Sequence, residues 1–141
     1  EQIKNFRFDK RGVNSLSSLT IEMSQQAKSL KESDFSRIAN YYSKRPVINS
    51  PETVSGDINN GKRLYDTNCS GCHSSAIGRF FTNSPKISHL KGPYILEQLA
   101  LFSKNKRSFY VKNKHKNKMV EVSKLLSHKE HSDITAYLKS N

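Results

Sequence analysis

Runs of about 18 apolar residues, the length a helix needs to cross a bilayer, are absent, so no segment of this 141-residue chain reads as transmembrane. No secretory leader pattern opens it, and it reads as a mature or trimmed chain. Cysteine is limited to two residues, both inside one five-residue stretch, which leaves none for a disulfide framework. Only 34% of residues are hydrophobic, a thin core for one domain or two small ones. Acid is also scarce, with 12 acidic against 24 basic residues and a net charge of +12. Such a balance first suggests nucleic acid, but its distribution argues against that partner. Residues 1–54 hold nine basic and six acidic side chains, and residues 55–141 hold fifteen and six. Seven of the positive charges fall in Ser103–Lys118, which has no acid at all. That run reads either as a solvated loop or as a docking surface.

What is present is Cys69-Ser70-Gly71-Cys72-His73, the spacing by which c-type haem is attached. The two thiols would add across the haem vinyl groups as thioethers, and the histidine would supply the fifth iron ligand. A zinc site would need a second Cys/His pair, and there is no further cysteine. A redox dithiol expects a strand before the motif and a helix after it, and neither is suggested. A chance match in an exposed loop stays open on five residues alone. A porphyrin would also add apolar core material to a chain that has little. Covalent attachment of haem takes place outside the cytoplasm, so a periplasmic location is expected.

The chain also repeats itself. Shifted by 96 residues, its first 44 residues align without a gap on 97–140. Glu1-Gln2-Ile3 meets Glu97-Gln98-Leu99, Phe6 meets Phe102, and Lys10-Arg11 meets Lys106-Arg107. Met23 meets Met119, Leu30 meets Leu126, Ile38 meets Ile134, and Tyr41 meets Tyr137. The sequence therefore divides into the back half of one unit (1–46), a linker (47–55) and a complete unit (56–141). The same offset places a first Cys-x-x-Cys-His about two dozen residues before Glu1.

Helices are expected over Ser24–Lys31 and Asp34–Tyr42, the second capped by Ser33 or Asp34 with Phe35, Ile38, Ala39 and Tyr42 on its apolar face. Arg45-Pro46 ends it. Asp57 can cap a helix through about Thr67, in which Gly61 calls for close approach by another helix. Ser74–Lys91 reads as an irregular loop. Pro93 opens a helix to about Phe102, Lys118–Leu125 is a short helix, and Ser127 or Ser132 caps the last one.

Together these features resemble a class I cytochrome c, an all-α fold. Residues 56–141 show a helix leading into the Cys-x-x-Cys-His motif, then a Pro85-containing loop and the Tyr94-to-Phe102 pattern Tyr-x-x-x-Gln-Leu-x-x-Phe. Met119 and a closing helix complete the match. Within that class the chain resembles the two-domain di-haem cytochromes of the cytochrome c-4 family, with residues 1–44 matching the end of their first domain. His89-Leu90 stands where those proteins have a glycine-rich turn, and a Lys/Asn-rich loop precedes Met119. The resemblance implies one haem c in this chain, with His73 and Met119 as its axial ligands. A thioether ligand stabilises ferrous iron and raises the potential. Core filling is the plainer role for Met119, and His115, four residues earlier, is the rival ligand unless it belongs to the exposed basic loop. His89, His128 and His131 read as surface residues. By resemblance the Pro85 carbonyl accepts the Nδ1 proton of His73. Arg107, Tyr94 and Tyr65 would contact haem propionates, or else pack between helices. Met23 would serve a first haem in a longer parent, and in the chain as given it reads as a vacant or non-haem position.

No substrate-handling residues are seen, so the expected role is an electron carrier, not an enzyme, with the chemistry in the cofactor. By resemblance its redox partners are a quinol-oxidising complex and a terminal oxidase, docked through residues 103–118; peripheral association with an anionic membrane is compatible with the charge. The alternatives are an electron-transfer subunit or domain of a redox enzyme, for instance one oxidising sulfur compounds, and a haem-based gas sensor.

Overall fold

The computed structural model describes residues 2–11, 18–107 and 114–140, without the side chains of Lys114 and Lys116. The described residues form helices and connecting loops, with no strand among them. Three helices come first: α1 (Gln2–Arg7), α2 (Ser18–Ser29) and α3 (Glu32–Ser43). Phe6, Ala27 and Phe35 are their buried apolar residues. Arg7 locks the group by donating to the Leu30 carbonyl at 2.9 Å while its guanidinium lies 5.2 Å from the Phe35 ring centre. Both α2 and α3 are longer than expected. The residue at the α3 cap is Lys31, not Ser33 or Asp34; the Asp34 carboxylate instead accepts the Lys31 N–H at 2.9 Å.

An extended segment follows and is pinned to the loop before the seventh helix. Ser50 N–H donates to the His89 carbonyl at 3.1 Å, Gly92 N–H donates to the Glu52 carbonyl at 2.8 Å, and Lys91 pairs with Glu52 at 2.6 Å.

Helix α4 (Ile58–Asn68) begins at Asp57, whose carboxylate accepts from the Asn59 and Asn60 N–H groups, as the sequence predicts. One turn, α5 (Ser70–His73), continues from it, and α6 (Ala76–Thr82) follows. The expected irregular loop over 74–91 thus contains a helix. Ser75 caps α6 and Asn83, at φ 53°, ends it in the left-handed conformation. Helix α7 (Gly92–Ser103) has Pro93 in its first turn. Helix α8 (Lys114–Leu125) starts four residues before the expected Lys118. Helix α9 (His128–Lys139) starts with a capping box: Ser127 accepts the Glu130 N–H, and Glu130 accepts the Ser127 N–H.

The core joins α4, α7 and α9 through Leu64, Tyr65, Ile95, Leu99, Ile134 and Leu138. Each such side chain contributes about 1.5–3 kcal/mol by burial. Gly61 is where α4 meets α9, since a Cβ there would lie 1.9 Å from the Asp133 carbonyl oxygen. Beside it the buried Asp133 carboxylate accepts from the Asp57 N–H at 2.8 Å, the Asn60 amide at 2.8 Å and Lys129 at 3.1 Å. His131, expected at the surface, is instead buried, with Nε2 3.0 Å from the Ser123 carbonyl.

The 96-residue offset recurs in the helix limits. Moved by 96, the end of α1 falls on the end of α7, and α2 and α3 fall on α8 and α9 residue for residue. Left-handed Asp9 falls on left-handed Asn105. Burial does not follow the same offset. Leu138 is 5% exposed while its counterpart Tyr42 is 69% exposed, because α9 is covered by α4 and no described helix covers α3 in that way.

Candidate cofactor site

The stretch Cys69–His73 is held by its own backbone. Cys69 N–H donates to the Tyr65 carbonyl at 2.8 Å, carrying α4 into the motif. Cys72 and His73 N–H groups then donate to the Cys69 carbonyl at 3.2 and 3.1 Å. This single turn places Cys69, Cys72 and His73 on one short segment. Both thiols are unbridged and half-buried. Burial, and then the neighbouring Cys72, push the Cys69 thiol up to about 11, so it is a protonated thiol at neutral pH.

His73 is buried, and its Nδ1 lies 2.9 Å from the Pro85 carbonyl, which can only accept. Nδ1 therefore carries the proton and Nε2 presents a lone pair. That Nε2 is buried and has no hydrogen-bond partner. Burial keeps the ring below the usual imidazole range; the Pro85 carbonyl opposes this and Arg79 adds to it. A neutral, oriented imidazole whose buried Nε2 makes no hydrogen bond has the chemistry of a metal donor.

His73 and Pro85 line a cavity of about 350 Å³. Its walls are largely apolar, from Ile87, Leu90, Ile95, Leu99 and Phe102, and Met119 of α8 also faces it. Tyr94, Gln98 and Arg107 supply polar groups on the α7 side. Arg107 is half-buried, stacks 4.7 Å from the Phe102 ring centre and donates to the Gln98 side-chain oxygen. Among the described residues no three His, Cys, Asp or Glu side chains come together as a metal site. The donors on its walls are the imidazoles of His73, His89 and His115 and the thioether sulfur of Met119. One imidazole and the thioether from that set would suit an iron held by a porphyrin, and the apolar walls suit the porphyrin faces.

The structure therefore brings His73, Pro85, Tyr94, Arg107 and Met119 to one cavity, with Cys69 and Cys72 on the segment that carries His73. Tyr65 is not among the lining residues; it packs in the core 5.6 Å from the Tyr137 ring. His115 lies in α8 and lines the cavity, although exposed to solvent, and is not part of a loop. His89 is half-buried at the cavity wall, with a buried Nδ1 that lacks a partner, where a surface residue was expected. Gln98, Gln2 and Arg11 also line the cavity and were not foreseen. The repeat, which pairs Gln2 with Gln98 and Arg11 with Arg107, carried that signal.

No helix among the described residues is long and apolar enough to cross a membrane. Comparison with curated proteins and with solved structures gives no match. A family profile described as Cytochrome c matches residues 58–141, from the first residue of α4 to the end of the chain. More than half of the sequence lies within that match, and the site in it has the thiols, the imidazole and the cavity that haem requires, so the chain belongs to the Cytochrome c family and carries covalently bound haem c.

Proposed function

We propose that the protein is a periplasmic carrier of single electrons between a quinol-oxidising complex and a terminal oxidase, with His73 and Met119 as axial ligands. The observation that carries the ligand assignment is the buried, unpartnered Nε2 of His73 in a cavity that Met119 also lines. Bound haem supplies the redox chemistry, its iron alternating between ferric and ferrous. The chain's own residues orient and shield it. Pro85 fixes the His73 tautomer, the apolar walls exclude water, and Met119 offers a neutral sulfur that favours the ferrous state.

Residues 1–46 form, in this reading, the back half of a first cytochrome unit in a two-domain di-haem protein of the cytochrome c-4 kind, joined by the 47–55 linker to the unit at 56–141. The coincidence of helix limits at the 96-residue offset supports it, as does the exposed face of α3. Met23, 43% exposed on α2, is the corresponding ligand for a first haem.

Docking through 103–118 rests on charge. Lys104, Lys106 and Lys118 are exposed; Lys112 and the side chains of Lys114 and Lys116 lie outside the described residues. Arg107 turns inward and leaves this set.

A single set of variants tests the site. Replacing Cys69 and Cys72 together by alanine should abolish haem staining on a denaturing gel. Met119→Ala should retain the stain but lose the weak near-infrared sulfur-to-iron band of the oxidised protein. Stain that survives the double change, or a band that survives Met119→Ala, would overturn the assignment. Counting haems by intact mass on the parent reading frame decides the two-haem reading.

A further inference from the structure

The wall of the cavity around α7 holds two guanidinium groups from distant parts of the chain. Arg107 follows α7, whereas Arg11 lies just after α1, ahead of the Cytochrome c unit. Arg11 Nη2 donates to Tyr94 Oη at 3.2 Å and to Gln98 Oε1 at 3.2 Å, and Gln98 Oε1 also accepts from Arg107 Nη1 at 2.5 Å. One neutral amide oxygen thus serves both cations. The same local device presents each of them. A left-handed residue, Asp9 or Asn105, turns the chain after its helix, and the guanidinium then rests 4.7 Å from the Phe6 or Phe102 ring centre.

No carboxylate of the described residues pairs with either arginine, although Lys4, Arg7, Lys28, Lys62 and Lys91 all have one. Arg107 Nε is buried and has no acceptor. Burial, followed by repulsion from Arg11, pushes the Arg107 guanidinium down to about 10. Two adjacent cations, one largely stripped of water, are costly unless an anion joins them. The haem that this cavity suits brings two propionate carboxylates, the only charged groups on the porphyrin rim. Carboxylate and guanidinium match as a two-point hydrogen-bonded pair.

We propose that Arg11 binds a propionate carboxylate of the haem in the second unit, jointly with Arg107. The segment ahead of the Cytochrome c unit then completes that unit's cofactor site. A cation held there disfavours the extra positive charge of ferric haem, so Arg11 raises the reduction potential. This inference rests on haem being bound at residues 58–141.

The test is a redox titration of the full chain with haem attached, comparing the parent with Arg11→Gln, Arg11→Lys and Lys10→Gln. Lys10 is the neighbouring exposed cation and controls for charge alone. Arg11→Gln should move the ferrous-to-ferric ratio at fixed potential about threefold toward ferric, or ~28 mV at 59 mV per decade. Arg11→Lys should recover at least half of that shift, and Lys10→Gln should move the ratio much less. Arg11→Met is the second neutral variant should Arg11→Gln fail to accumulate. A potential for the neutral Arg11 variants that equals the parent's, or that Lys10→Gln reproduces, would overturn the proposal. Absence of haem from the parent would instead refute the cytochrome assignment itself, and intact mass reports that separately.

Discussion

Replacing Gly61 by alanine probes the contact on which the haem unit is built. A methyl group at this position would stand 1.9 Å from the Asp133 carbonyl oxygen and 2.4 Å from its carbon. Both are backbone atoms of α9, so no side-chain rotation can make room. Restoring ordinary contact at 3.4 Å requires α4 and α9 to separate by roughly 1.5 Å. That movement loosens Leu64 against Ile134 and Leu138, which are now 6%, 2% and 5% exposed. We expect the overpacking to cost about 3–4 kcal/mol, with about 1 kcal/mol offset by the better helix propensity of alanine. The net loss of about 2–3 kcal/mol should lower the melting midpoint by roughly 10–20 °C for a unit of this size. Thermal unfolding of the haem-loaded protein, followed by far-ultraviolet circular dichroism, reads it. Because α4 runs directly into Cys69, Gly61→Ala should also weaken the near-infrared band. A midpoint for Gly61→Ala within about 4 °C of the parent would refute the reasoning.

Two other outcomes follow from the charges. Burial alone would raise the Asp133 carboxyl, but the Asn60 amide, the Asp57 N–H and Lys129 outweigh it and hold the carboxyl below its ordinary range. The stability this adds is present above about pH 4 and disappears as the pH falls through the lowered value. Asp133→Asn should therefore cost about 1–2 kcal/mol at neutral pH, and the gap to the parent should close in acid unfolding curves; a pH-independent gap would refute it. Changing Lys112, Lys114 and Lys116 together to glutamate should slow association with an acidic redox partner at low salt. The difference should fade once charges are screened beyond about 8–10 Å; equal rates across a salt titration would leave the basic run a solvated loop.

The sequence by itself determined the features that depend on near neighbours. The cofactor was legible because thiol, thiol and imidazole must sit at fixed spacing to meet one porphyrin. The α4 and α9 starts were legible because Asp57 and Ser127 satisfy N–H groups two or three residues away. The repeat was legible as a pattern of matched identities, and it anticipated where α2 and α3 lie better than the local reading of either segment did. Helix α6 escaped because Ile77, Phe80 and Phe81 are 71%, 81% and 76% exposed. With no packed face, its apolar residues have no period to betray it. Only the tertiary structure could decide what depends on groups far apart in the chain. It buries His131 beneath Ser123, decides for Arg107 between the exposed basic run and the cavity by stacking it on Phe102, and brings Arg11 to Tyr94 and Gln98 across more than 80 residues. The reason is physical: spacing along the chain sets which residues share a turn, whereas burial and charge pairing are set by whichever helix packs against them.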